Sequence, residues 1–314
     1  MPPVRTPERK LMKPKQSSAF SCAVAAAFAL VAVFAITGTA RAADQAEKVG
    51  ATTCVGCHAE YGSFSKSIHG KAWPSRQKIA FEQSCETCHG AGSLHANSGG
   101  DKSNPDFATI KKPTALTVAD QSAICLSCHK KEKELMAWGT GAHKQNGVSC
   151  LKCHSMHKGE GKAQLAKSET ETCLNCHKNK RADLQLASHH PILEGKMGCT
   201  GCHNPHGGVE ANLKADSLEE TCFKCHADKA GPYAFEHPPV GESCANCHKP
   251  HGSQNAYLLK QAQPFLCMRC HKWPHVERSN GVNATSITNL EQRSRCTDCH
   301  HEIHGSDRHA AFKN

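Results

Sequence analysis

Ten times along the chain two cysteines stand three residues apart with a histidine directly after the second: Cys54/Cys57/His58, Cys85/Cys88/His89, Cys125/Cys128/His129, Cys150/Cys153/His154, Cys173/Cys176/His177, Cys199/Cys202/His203, Cys222/Cys225/His226, Cys244/Cys247/His248, Cys267/Cys270/His271 and Cys296/Cys299/His300. These copies use 20 of the 21 cysteines. On one helical turn residues i and i+3 share a face, so both sulfurs of a copy can bond the two vinyl groups of one porphyrin. The next residue, histidine, then lies under the iron as its proximal ligand. Cys-x-x-Cys-His is the attachment sequence of c-type haem. Five zinc sites made of paired Cys-x-x-Cys knuckles would use the cysteines and leave ten adjacent histidines unexplained, and a disulfide scaffold has the same defect. The pattern points to ten covalently attached haem c groups.

The sixth iron ligands can be sought in the same way. The order motif, histidine, motif, histidine repeats five times, giving modules of about 54–95, 125–157, 173–206, 222–251 and 267–304. Their extra histidines are His69 and His95, His143 and His157, His190 and His206, His237 and His251, and His275 and His304. From the second module onward the first cysteines lie 48, 49 and 45 residues apart, the period of a repeat array. Of 23 histidines, ten are proximal and ten fill these slots, leaving His189, His301 and His309 as spares. Alignment with the "HP" and "HG" pairs elsewhere favours His190 over His189 and His304 over His301. Two imidazoles on each iron leave no open position for a substrate, so the groups pass electrons, and no catalytic residue is expected.

The elements that must position these ligands are short. Asp120, Ser168 and Ser217 each precede a module's first cysteine by five residues, and "SETE" and "SLEE" read as capping boxes opening a helix into the motif. The distal histidines in "NPHGG", "KPHGS" and "EHPPVG" sit beside glycine or proline and should project from turns. The stretch "GAGSLHANSGGDKSNPDFATIKKP" reads as a long solvated loop between the second and third motifs. The expected fold is mainly α and irregular, with short helices and loops around an extended chain of ten haems and few or no strands.

Composition agrees with a chain built around cofactors. Residues 1–42 read as a cleaved secretory signal: a basic start, an apolar run from about Ala19 to Thr37 and the small-residue site "TARA", with cleavage after Ala42. Cys22 lies in that run. Residues 43–314 remain, roughly 27 per motif, too few to build a core of their own. Aromatic residues are 5% of the chain and mean hydropathy is −0.53, so folding should depend on the attached groups. The formal charge of +10 falls to +5 without the signal, and ionised haem propionates would bring it to about −5, which argues against a nucleic-acid partner.

The motifs, together with "FSKSIHGKAW", "CETCHGAGSLH", "GVSCLKCHSMHKG", "CTGCHNPHGG" and "CANCHKPHGS", resemble the MtrA/PioA/DmsE-type periplasmic decahaem cytochromes over nearly the whole chain after the signal. That resemblance implies a periplasmic conduit associated with the outer membrane. It implies a β-barrel protein as partner, and electron exchange with periplasmic or inner-membrane carriers on one side. On the other side it implies extracellular acceptors or donors, reached directly or through an extracellular multihaem cytochrome or reductase. A multihaem reductase would need an open iron position, and none of the ten motifs replaces its histidine. A soluble periplasmic shuttle without a barrel is the other alternative.

Overall fold

The computed structural model describes residues 45–78, 80–159, 161, 163–272 and 294–313. The expected signal and His275 lie outside these. The chain divides into two compact units, residues 1–112 and 113–314. The division falls between the first and second modules.

In the first unit, α1 (Ala51–Cys57) carries the first motif and α2 (Ser84–His89) the second. Residues expected to form a solvated loop are instead folded. They contain α3 (Ser93–Asn97) and a 3-10 turn, Pro105–Thr109. Asp101 accepts from the Ser103 backbone N–H at 2.8 Å, and Asn104 caps the turn by accepting from Asp106 N–H at 2.9 Å. Gly, Asn, Asp and Ser are the residues of ordered turns as well as of solvated loops, so composition alone misreads the segment.

In the second unit, α4 (Val118–His129), α5 (Glu169–Leu174) and α6 (Leu218–Phe223) lead into the first motifs of modules two to four. Ser168 and Ser217 are the N-caps, accepting from Glu171 and Glu220 N–H at 3.3 and 3.0 Å. The reciprocal arm differs from a full capping box. Glu171 pairs with Arg181 at 3.1 Å, and Glu220 accepts from Asp216 N–H at 3.2 Å. At α4 the cap is Thr117 rather than Asp120. Asp120 is the third helical residue, donating its N–H to Thr117 Oγ1 and accepting the Thr117 hydroxyl. Threonine keeps the extended backbone that an N-cap requires.

Strands are few and two residues long. β1 (Ser188–His189) pairs antiparallel with β3 (Gly252–Ser253), and β2 (Phe235–Glu236) with β4 (Gly305–Ser306). Isolated antiparallel bridges tie His154 to Leu165, His203 to Leu213 and His248 to Leu259. The hydrophobic core of the described residues is small: Leu174, Leu184 and Ile192 with Met197 and Cys199 packed against them, plus buried Ala51 and Trp138. Burial of so few side chains cannot offset the entropy of ordering the backbone. Covalently held groups must contribute the rest.

Candidate haem-binding sites

Each attachment motif forms one tight turn. The histidine N–H donates to the first cysteine's carbonyl at 2.9–3.0 Å, as in His58 to Cys54, His154 to Cys150 and His203 to Cys199. The motif is thereby closed into the loop that two thioether bonds to one ring need. The first cysteines of the two motifs in every module adjoin. Cys54 meets Cys85, Cys125 meets Cys150, Cys173 meets Cys199, Cys222 meets Cys244, and Cys267 meets Cys296. Within the second unit the second cysteines link successive modules: Cys153 interacts with Cys176, Cys202 with Cys225, and Cys247 with Cys270. Its eight motifs therefore follow one another in space in sequence order, each close enough to the next to act on it electrostatically.

The other four attachment cysteines are Cys57, Cys88, Cys128 and Cys299. Cys128 and Cys299 are the second cysteines of the first and last motifs of the second unit, where the succession starts and stops, and both are exposed. Cys128 Sγ accepts from the Ser127 hydroxyl at 3.8 Å. In the first unit Cys57 is exposed and Cys88 half-buried; Cys88 lies in α2, one residue before His89. The helical or 3-10 turn that brings the two sulfurs of one motif together is present at Cys85/Cys88, Cys125/Cys128 and Cys296/Cys299 as at the others.

The histidines supply the second half of the geometry. Seven proximal histidines face an extra histidine, with ring centres 6.0–6.4 Å apart: His58 with His95, His154 with His206, His177 with His143, His203 with His251, His226 with His190, His248 with His304, and His271 with His237. An imidazole on each side of one metal ion, with bonds of about 2.0 Å, places ring centres roughly 6.3 Å apart. The spacing fits one iron between each pair. The rings of His203 and His251 are inclined by 8°, those of His143 and His177 by 61°.

The pairs cross module boundaries by a rule. In the second unit a module's first extra histidine meets the first proximal histidine of the next module. Its second extra histidine meets the second proximal histidine of the previous one. Backbone contacts set this interleaving. His143 Nδ1–H donates to Pro205 O at 2.7 Å, His237 to Ile303 O at 3.1 Å, and His190 to Pro250 O. Each acceptor immediately precedes another distal candidate, His206, His304 or His251. The β1–β3 and β2–β4 pairs join the same segments.

Five proximal histidines of second motifs also place Nδ1 on a backbone carbonyl. His89 reaches Lys111 O at 2.8 Å, His154 Ala163 O at 2.6 Å, His203 Ala211 O at 3.0 Å, His248 Tyr257 O at 2.8 Å and His300 Ala311 O at 2.6 Å. Such a bond fixes the tautomer and leaves Nε2 to ligate. The presenting loops hold Ala211 and Tyr257 in the left-handed region, at φ 54° and 58°, a local cost accepted where a carbonyl must be aimed. The folded insertion does the same service in the first unit, since Phe107 O accepts from His95 Nδ1–H at 2.9 Å. Burial lowers the pKa of His206, His251, His304 and His237. That keeps them in the neutral form that binds metal.

His69, His95 and His143 stand on short helices rather than in turns. His157 lies in a turn after the second motif of its module. His129 ends α4, with Nδ1 3.9 Å from Glu132. His189 is engaged at both nitrogens, by Leu186 O at 2.6 Å and Glu194 at 2.9 Å, and the Glu194 carboxylate raises its pKa. His190, not His189, faces His226.

One set of residues escaped the sequence reading. In modules two to five a side chain three or four positions before the first cysteine reaches across to the second motif. Gln121 accepts from Ser149 Oγ, Glu169 from Thr200 N–H at 2.7 Å, Glu219 from Cys244 N–H at 3.2 Å, and Gln263 from Thr297 N–H at 3.1 Å. In the first module the direction is reversed: Glu82 accepts from Thr52 N–H at 3.0 Å. Glu86, 4% exposed, accepts from Val49, Gly50 and Gly92 N–H. The recurrence of Glu or Gln before the first cysteine was the available signal.

Known proteins share the pattern. Residues 189–231 and 237–275 match the doubled CXXCH motif family. Residues 85–170 match the cytochrome c-type protein NrfB-like family, and residues 25–90 match cytochrome c554 and c-prime. The chain is 35% identical over 151 residues to the multiheme cytochrome MtrA of Shewanella baltica (strain OS185), 47% of this chain and 44% of that protein. It is 28% identical over 134 residues to the cytochrome c-type protein NrfB of Escherichia coli O6:H1, 41% of this chain and 66% of that protein. These matches support an MtrA-type multihaem cytochrome c. The matched regions thus span less than two thirds of either relative. The paired CXXCH motifs support covalently bound haem c, presented by a mainly helical and irregular fold. Among the described residues no helix is long and apolar enough to cross a membrane.

Proposed function

We propose that the cytochrome is a ten-haem electron conduit, periplasmic and associated with the outer membrane, that works inside a β-barrel partner and is not itself an enzyme. It would connect periplasmic or inner-membrane carriers with extracellular acceptors or donors, as in extracellular respiration or iron oxidation. The bound haems supply reversible one-electron chemistry. The chain's residues do the rest: cysteines fix each ring, and the proximal and distal histidines close both axial faces against substrate. The carbonyls of Ala163, Ala211, Tyr257 and Ala311 hold the imidazoles in one tautomer.

The observation that carries the reading is the unbroken succession of motifs through the second unit, combined with paired imidazoles at one iron's spacing. Sequential neighbours with paired imidazoles suit transport along a line. The set of ten distal ligands includes His69, His157 and His275 beside the seven paired histidines. A polar chain with ionised propionates cannot enter hydrocarbon unaided, whereas a closed barrel can enclose a polar lumen.

The test uses vesicles loaded with a reducible dye and an external electron donor. Vesicles carrying the cytochrome with an outer-membrane β-barrel protein of the MtrA-partner type should reduce the dye; cytochrome alone or barrel alone should not. Equal flux through intact vesicles with cytochrome alone, or none with the pair, overturns the conduit.

A further inference from the structure

The residues that lock the two motifs of a module together differ in charge, and in modules three and five they do so while keeping the same bonds. In module three Glu169 accepts from the backbone N–H of Thr200 at 2.7 Å and from its hydroxyl at 3.1 Å. In module five Gln263 accepts from the backbone N–H of Thr297 at 3.1 Å and from its hydroxyl at 3.2 Å. Thr200 and Thr297 hold the same place, directly after the first cysteine, in "CTGCH" and "CTDCH". Module four uses a carboxylate, Glu219, and module two an amide, Gln121. The first module uses carboxylates, Glu82 and Glu86.

We propose that these clamp residues set the reduction potentials of the haems they adjoin, the carboxylates of modules one, three and four lowering them relative to the amides of modules two and five. The inference rests on the haem reading above. A fixed negative charge near an iron stabilises its more positive, oxidised state, and the effect is strong where water is partly excluded. Glu169 lies close enough to act electrostatically on both Cys173 and Cys199, the sulfurs through which the module's two rings would be attached, and Glu219 acts likewise on Cys222 and Cys244. Among the described residues Glu169 belongs to no ion pair, so its charge is uncompensated. The one carboxylate inside the module-five motif, Asp298, is paired with Arg295 at 2.9 Å. Module five is therefore a natural counterpart of module three with the clamp's charge removed.

Two opposite exchanges test this. Glu169→Gln should raise the mean midpoint potential of the haem-loaded protein, read as the area of an equilibrium redox titration followed by haem absorbance. Gln263→Glu should lower it. Both variants should keep the parent's ratio of haem to protein and its low-spin spectrum, which a purely structural role would disturb. Asp101→Asn, the same change of charge in an exposed turn, should move the mean far less. Unchanged means, shifts of the same sign, or shifts no larger than that of Asp101→Asn overturn the proposal. If Glu169→Gln fails to mature, Gln263→Glu and Glu219→Gln decide it by the same signs. Absence of covalent haem from the parent protein would instead defeat the haem reading itself.

Discussion

His206 shows what a single side chain contributes. Its ring faces His154 at 6.0 Å, inclined by 15°, and burial holds it neutral. His206→Ala should therefore open one iron, that of the Cys150/Cys153 motif. The check is a high-spin ferric signal and carbon monoxide binding equivalent to one haem. His301→Ala should leave the spectrum unchanged, because His301 fills no slot in the repeat; equal spectra for the two variants would contradict the phasing. Much of this scale was legible in the sequence, since covalent attachment and ligation need particular side chains at fixed spacing. What stayed hidden was made by the backbone. The carbonyls of Pro205, Pro250 and Ile303, which receive His143, His190 and His237, have no side-chain signature, so the histidines could be counted but not matched to irons.

At the scale of elements, each short helix presents a motif and is started by a side-chain cap. Ser168→Ala removes the acceptor for Glu171 N–H and should cost about 1 kcal/mol, as N-cap losses do; denaturant unfolding of the haem-loaded protein measures it. The two-residue strands matter through close backbone approach. A Cβ on Gly252 would meet Asp183 O at 1.8 Å. Gly252→Ala should push the neighbouring His251 away from His203 and generate a high-spin fraction at that iron. Gly201→Ala meets nothing within 4 Å and should keep the parent spectrum. The serine caps were readable from "SETE" and "SLEE". The cap at α4 was not, because Thr117 and Asp120 exchange hydrogen bonds and either could have led. The folded insertion was missed because its order depends on carbonyl acceptance from His89 and His95, contacts set by tertiary structure.

At the scale of the molecule, the ring pairs make a spectroscopic statement. Four pairs are close to parallel, at 8–15°, while His143–His177 and His190–His226 are crossed at 61° and 51°. Near-parallel ligand planes split the iron d orbitals strongly and crossed planes weakly, so low-spin signals of both types should be present together. The central claim is that every iron is closed on both faces by histidine and serves electron transfer. Electron paramagnetic resonance of the fully oxidised protein, with haem content counted by intact mass, tests it most directly. The account predicts ten haems per chain, low-spin signals only, and no carbon monoxide binding after reduction; a substantial high-spin signal, or one native haem that binds carbon monoxide rapidly, would contradict it and restore the multihaem reductase reading.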